Sequence, residues 1–242
     1  MRQTRLALIT LVMGLLLAAS GGSALGQTVN ENAHDFVRRG NQLYARAHYK
    51  LAIEEYRRVP SKAGDTYAQA LYNIGVCHYE LWETEKAVVY YRSAVAASRG
   101  RYPVALHALG VALNDLERLP EAKEAFEQSI DAAEGDHAPA HFMLGLLAMG
   151  EANYQAAAAS FKQAISRFKD HFPAAHNNLG VALARMGRLT EAKQEFEIAL
   201  VQAGGELSEA TNNLKLCSSL LALAPHSVAT LQLLNNSRKA NR

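Results

Sequence analysis

"HNNLGVALARMGRLTEAKQEFEIAL", His176 to Leu200, is nearly the same sentence as "HALGVALNDLERLPEAKEAFEQSI", His107 to Ile130. Both carry Leu-Gly, an interrupting turn, Glu-Ala-Lys and an aromatic in one order. Aligned on their glycines, the two copies lie 70 residues apart, which leaves room for one more copy between them.

The register extends well beyond these two. Gly40, Gly75, Gly110, Gly145 and Gly180 recur every 35 residues. Ala52, Ala87, Ala122, Ala157 and Ala192 keep the same step, and Tyr56, Tyr91, Phe126, Phe161 and Phe196 follow each alanine by four. Three registers held through five copies define a repeat array.

Within a copy the apolar residues recur at helical spacing. Leu106, Leu109, Gly110 and Leu113 form one stripe, and Ala122, Ala125, Phe126 and Ile130 form the next. "NDLERLP" breaks them, with Pro120 suited to the opening of a second helix. Each unit therefore reads as a helix–turn–helix hairpin. Glycine on the first helix and alanine on the second let two backbones cross closely. The aromatic is expected to fill space toward a neighbouring helix.

These residues resemble the tetratricopeptide repeat, in which Leu-Gly, a Tyr slot, Ala and an aromatic recur over two helices. Leu109, Leu144 and Leu179 meet the Leu before Gly, Ile74 meets it conservatively, and Arg39 departs. The terminal proline of the pattern is replaced by Gly64, Arg99, Glu134, Lys169 and Gly204. Pro103, Pro139 and Pro173 stand slightly later, which fits one extra residue in the turn between repeats. The resemblance implies an all-α solenoid, a right-handed superhelix of five hairpins over about 33–66, 67–101, 102–136, 137–171 and 172–206. A sixth first helix restarts at "ATNNLKLCSSLLAL", Ala210 to Leu223. Lys215 takes its glycine slot, so the segment 207–224 reads as a cap without a close partner helix. "SVATLQLLNN" then offers a short helix within 225–242, with Ser227 as N-cap and a frayed end.

The family's concave face holds extended or helical peptides. The resemblance places on it the residues three before, one after and four after each glycine. One lane runs Val37, Tyr72, His107, Phe142, Asn177. Beside it run Asn41, Val76, Val111, Leu146, Val181, and Tyr44, Tyr79, Asn114, Met149, Ala184. Asn41, Tyr44, Tyr72, Tyr79, His107, Asn114, Phe142 and Asn177 are the expected partner-binding residues, on a mostly uncharged, aromatic surface suited to an apolar peptide or amphipathic helix. Members that clamp a C-terminal carboxylate use two asparagines and three basic residues. Asn41 and Asn73 match, but Val37, Val104 and Ala108 replace the cations, which argues against that activity.

The amino terminus reads as an address. Arg2 and Arg5 precede the apolar run "LALITLVMGLLLAA" and the small-residue stretch "SGGSALGQ", the plan of a secretory signal peptide over 1–26. A short linker, 27–32, follows. The run is shorter than the roughly 20 residues a membrane span needs, and an uncleaved anchor is the alternative. Removing 1–26 takes away Arg2 and Arg5 and no acid, leaving 23 basic against 23 acidic residues. Such a neutral chain does not suit nucleic acid, which rewards a basic surface.

No catalytic signature emerges: there is no Gly-x-Ser-x-Gly elbow, no His-Glu-x-x-His and no phosphate-cradling loop. Cys77 and Cys217 stand four repeats apart, too far to pair within one chain when packed helices are roughly 8–10 Å apart. His137, His141, His171 and His176 invite a metal, but no carboxylate or cysteine converges on them in sequence, so no metal and no cofactor are expected. The expected protein is an exported, periplasmic or extracellular, non-enzymatic scaffold that binds a protein partner in its groove. Exported bacterial members of the family commonly assist assembly of envelope or secretion machinery, which is the process the resemblance implies. A carrier of a small apolar ligand or lipid, and a self-associating structural subunit, remain alternatives.

Overall fold

The computed structural model describes residues 32–168 and 171–223. The expected leader 1–26, most of the linker and the segment 224–242 lie outside the described residues. Among the described residues every regular element is helical, so the fold is all-α, as expected. The chain divides into two compact units, Met1–Ala105 and Leu106–Arg242.

In the first unit, α1 (32–44) and α2 (Tyr49–Arg57) form one hairpin, and α3 (Asp65–Glu80) and α4 (Thr84–Ala97) form the next. A turn of 3-10 helix, Ser61–Ala63, joins them. Helix α5 (Pro103–Asp115) starts in this unit and continues into the second. There α6 (Leu119–Ala132), α7 (Ala138–Gly150), α8 (Tyr154–Arg167), α9 (Pro173–Arg185), α10 (Leu189–Gln202) and α11 (Ser208–Leu223) follow, each packed on the next. A proline opens α5 and α9 and stands second in α6 and α7, where the missing N–H has no helical acceptor to lose.

The aromatic slot carries the packing. Phe126, Phe161 and Phe196 are fully buried, as are all five slot alanines. Their rings fill space toward a neighbouring helix, as expected from the sequence, and that helix is the first of the same hairpin. They lie on the glycine of their own hairpin. A Cβ on Gly75 would stand 2.6 Å from the Tyr91 ring, and one on Gly110 2.5 Å from the Phe126 ring. Gly40, Gly145 and Gly180 meet Tyr56, Phe161 and Phe196 just as closely. Glycine is retained because the ring needs the volume of the absent side chain.

The turn inside each hairpin has a register of its own. Ala47, Trp82, Glu117, Ala152 and Gly187 recur at the repeat step, and all have left-handed backbone, φ 57° to 79°. Only the last is a glycine, although a left-handed residue with a Cβ costs about 1–2 kcal/mol. Between hairpins the chain uses two such residues in succession at Arg99–Gly100, Glu134–Gly135 and Gly204–Gly205.

Two stability outcomes follow from these registers. Gly110→Ala gains helix propensity of about 1 kcal/mol but forces its methyl into Phe126, and overpacking costs about 1–3 kcal/mol. A net loss in urea unfolding is expected, and it should shrink when measured in a Phe126→Leu background. Equal losses in both backgrounds would break the link between slot and ring. In the turns, Ala152→Gly should raise stability by about 0.5–1 kcal/mol and Gly187→Ala lower it by about 1 kcal/mol, read from thermal midpoints.

Candidate functional site

The first unit holds a cleft of about 310 Å³ lined by Asn41, Tyr44, Tyr56, Tyr72, Asn73 and Val76. Asn41, Tyr44 and Tyr72 are three of the residues the sequence assigns to partner binding. Asn41 and Tyr44 stand one turn apart on α1, and Tyr72 on α3 lines the same hollow. Asn41 is exposed and Tyr44 and Tyr72 are half-buried, which leaves polar tips and ring faces available.

A hydrogen-bonded chain fixes the floor of this cleft. Tyr56 Oη donates to Asn41 Oδ1 at 2.7 Å, and Asn73 Nδ2 donates to the same oxygen at 3.2 Å. Because Oδ1 of Asn41 already accepts twice, the group Asn41 offers to a ligand is its amide N–H. Tyr44 Oη donates to Glu80 Oε1 at 3.2 Å, and its ring packs against Tyr49 at 5.4 Å between centroids. Tyr72 lies between Tyr91, at 5.8 Å, and Tyr102, at 5.5 Å. Burial pushes the Tyr44 phenol up to about 12, with the Glu80 carboxylate adding to the effect, so the hydroxyl stays a donor at any ordinary pH.

No described lining residue of this cleft is charged. The two asparagines of the carboxylate-clamp pattern do meet here, but Val37, at one cation position, is buried in the core. A partner's carboxylate would find amide N–H groups and no cation. Tyr79, the remaining first-unit candidate, is half-buried on α3.

In the second unit the expected lane divides. His107 and Asn114 on α5 and Phe142 on α7 are half-buried. Phe142 stacks within a run of rings, 5.6 Å from Phe161 and 4.9 Å from Phe172, which in turn lies 5.0 Å from the half-exposed Phe168. Asn177 is a correction: it is fully buried, and its Oδ1 accepts from Asn213 Nδ2 at 3.0 Å, so it tethers α11 to α9 and presents nothing to solvent. Val181 and Ala184 on the same helix are likewise buried, and so is Met149 on α7.

The histidines are held by neighbours that sequence spacing concealed. His176 Nδ1 lies 2.7 Å from Glu195 Oε2 across α9 and α10, and His78 Nδ1 lies 2.6 Å from Glu83 Oε2. Carboxylates therefore do reach histidines, contrary to the expectation from sequence, but as pairs. Among the described residues no group of three or more His, Cys, Asp or Glu could hold a metal. His107 stacks on Phe126 at 5.6 Å and meets His137 edge-on at 5.4 Å, while His137 Nδ1 pairs with Ser129 Oγ at 2.9 Å. Cys77 and Cys217 are buried free thiols. Burial raises both, Cys77 to about 12, and Cys217 Sγ donates to the Leu189 carbonyl at 3.2 Å. No described helix is long and apolar enough to cross a membrane.

Sequence reasoning missed two features. Tyr102 of the loop before α5 completes the wall behind Tyr72, in a further 35-residue register of rings, Tyr67, Tyr102, His137 and Phe172, that could have marked it. Trp82 is 89% exposed at the strained turn position, where a bulky residue gives the fold nothing to bury.

In each unit the helical hairpins, each closed by a ring on a glycine, are those of a helical repeat protein. Family models for the tetratricopeptide repeat match residues 68–100, 103–136 and 142–206, together more than half of the chain. The chain belongs to the tetratricopeptide repeat family, whose fold provides a protein–protein interaction scaffold. No curated protein matches the sequence significantly. Among solved structures, TTC0263 of Thermus thermophilus is 26% identical, with a TM-score of 0.52 over 78% of this chain and 99% of its own. MamA of Desulfovibrio magneticus RS-1, 18% identical, gives 0.60 over 73% and 98%. YrrB, described as having an unusual peptide-binding site, is 19% identical and gives 0.61 over 78% and 97%.

The buried imidazoles make acid stability a test of this geometry. Burial lowers His107 to about 4, with His137 beside it adding to the effect, and lowers His137 and His141 as well. A base whose folded value is depressed binds protons more readily when unfolded. Its contribution is complete above about 6.5, the unfolded value, and is lost as pH falls toward about 4. His107→Phe should therefore flatten the decline in urea midpoint between about pH 6.5 and 4 relative to the parent. An unchanged pH slope would show that His107 titrates alike in both states.

Proposed function

We propose that the protein is a non-enzymatic adaptor that docks an uncharged, aromatic or apolar peptide segment in the α1–α3 cleft. The observation that carries this is the pairing of fixed amide groups on Asn41 and Asn73 with the ring faces of Tyr44 and Tyr72. An extended peptide needs main-chain partners, and the fixed amide N–H of Asn41 supplies a donor to its carbonyls. Rings already anchored by Tyr49, Tyr91 and Tyr102 lose little freedom on contact, so more of the contact energy appears as affinity. The absence of cations from the described lining favours neutral segments over acidic tails.

The leader expected over 1–26 supports an exported protein, and export supports work in assembling an envelope or secretion complex in the periplasm. Exposed Val201 on α10 and Leu223 at the end of α11 support a second reading, self-association through the carboxy-terminal end.

The test is selection of peptides from a random display library on the mature chain, residues 27–242, followed by calorimetry with the best binder. Asn41→Ala/Tyr44→Ala should weaken that peptide at least tenfold, about 1.4 kcal/mol, with helix content by circular dichroism unchanged. Equal affinity for parent and variant would place the working surface elsewhere.

A further inference from the structure

Glu80 is the last residue of α3, where the negative end of the helix disfavours an anion and a cation is the usual occupant. The other acids nearby are paired. Glu55 meets Arg39 and Arg58, and Glu83 meets Lys86 and His78. Glu80 forms no ion pair among the described residues, although Arg46 is exposed just past the end of α1. Its partner is the Tyr44 hydroxyl, which donates to Oε1 at 3.2 Å. A residue that breaks a local preference without an ion pair to offset it points toward a ligand.

The same residue stands at the end of the α1–α3 cleft. Asn73 and Val76 line the cleft from α3, and Glu80 follows them at helical spacing on that face. Tyr44 lines it from α1 and donates across to Glu80, so ring and carboxylate are held together. Tyr44 is also the last residue of α1, so the negative ends of two helices meet at this edge. Carboxylate and helix ends all favour one kind of neighbour, a cation. Glu80 is exposed, and beyond the Tyr44 bond its carboxylate keeps acceptor capacity for an ammonium or guanidinium. The Tyr44 bond orients it in advance, which lowers what is lost on binding.

We propose that the cleft takes a peptide in which a lysine or arginine meets Glu80 beside the apolar or aromatic residue seated on Tyr44 and Tyr72. The inference rests on the peptide-docking reading of this cleft and adds the charge of its ligand. Val76 and Glu80 are about 6 Å apart along the helix. In an extended segment the cation therefore falls within about two residues of the ring-seated one.

The experiment uses the mature chain, 27–242, and the best binder from the random display library. Enriched sequences should carry Lys or Arg within two positions of an aromatic or large apolar residue. Glu80→Gln keeps an acceptor for Tyr44 and removes the charge. It should weaken the binder about threefold or more at low salt, with the difference shrinking as salt is raised. Replacing the binder's own Lys or Arg by Gln should cost the parent a similar factor and cost Glu80→Gln little. Losses that simply multiply, equal affinity for parent and Glu80→Gln, or binders without a basic residue would each overturn the proposal. If those binders are still lost by Asn41→Ala/Tyr44→Ala, the docking reading itself stands. Binders indifferent to Asn41→Ala/Tyr44→Ala would overturn both.

Discussion

One contact organises this protein: a buried ring resting on a glycine, made once in every hairpin. Tyr56, Tyr91, Phe126, Phe161 and Phe196 each occupy the volume a Cβ would take on the first helix of their own hairpin. The contact fixes the depth to which one helix settles on the other. That depth in turn decides which side chains of the first helix remain outside. The open residues on α3 are open because Gly75 and Ile74 turn toward the hairpin interior.

The same contact explains why the chain tolerates strain elsewhere. With the hairpin geometry set by ring and glycine, its turn must reverse in a fixed number of residues and does so through a left-handed position. Ala47, Glu117 and Ala152 accept that backbone without being glycine, at a cost the fully buried rings offset. Trp82 accepts it while leaving nearly all of its surface in solvent. Packing sets the turn, and the turn residue is then free to serve other ends.

How far the sequence discloses this depends on the kind of information each feature needs. Periodicity of 35 residues reveals the hairpins, because a pattern repeated five times survives variation at any one slot. The gathering of Asn41, Tyr44 and Tyr72 on one surface is legible through the family resemblance, which implies that their slots on successive first helices share a face. The direction of each ring was not legible: spacing says which face a residue shares, but not which of two packed helices it leans on. Asn177 shows the same limit. Its slot is a groove slot, yet Asn213, 36 residues later, turns it into a tether between helices. His176 and Glu195 lie 19 residues apart, on two helices of one hairpin, where no register could pair them.

The departures from the repeat carry more about function than its regularities do. Where all five copies agree, the residues are buried and serve packing. Where they differ, at Asn41 against Val76, or Tyr44 against Asn114, the side chains stand on the surface of the first helices and their chemistry is unconstrained by the core. The first unit concentrates hydroxyl-bearing rings and amides in those variable slots, tied together by Tyr56 and Asn73. The second unit places smaller residues, Val181 and Ala184, in the same slots of α9. On α9 these slots are buried, and Asn177 beside them is tied to Asn213 of α11. The same valine is half-buried at positions 76 and 111 and fully buried at 181, so what packs against a first helix, and not the slot residue alone, decides whether its face stays open.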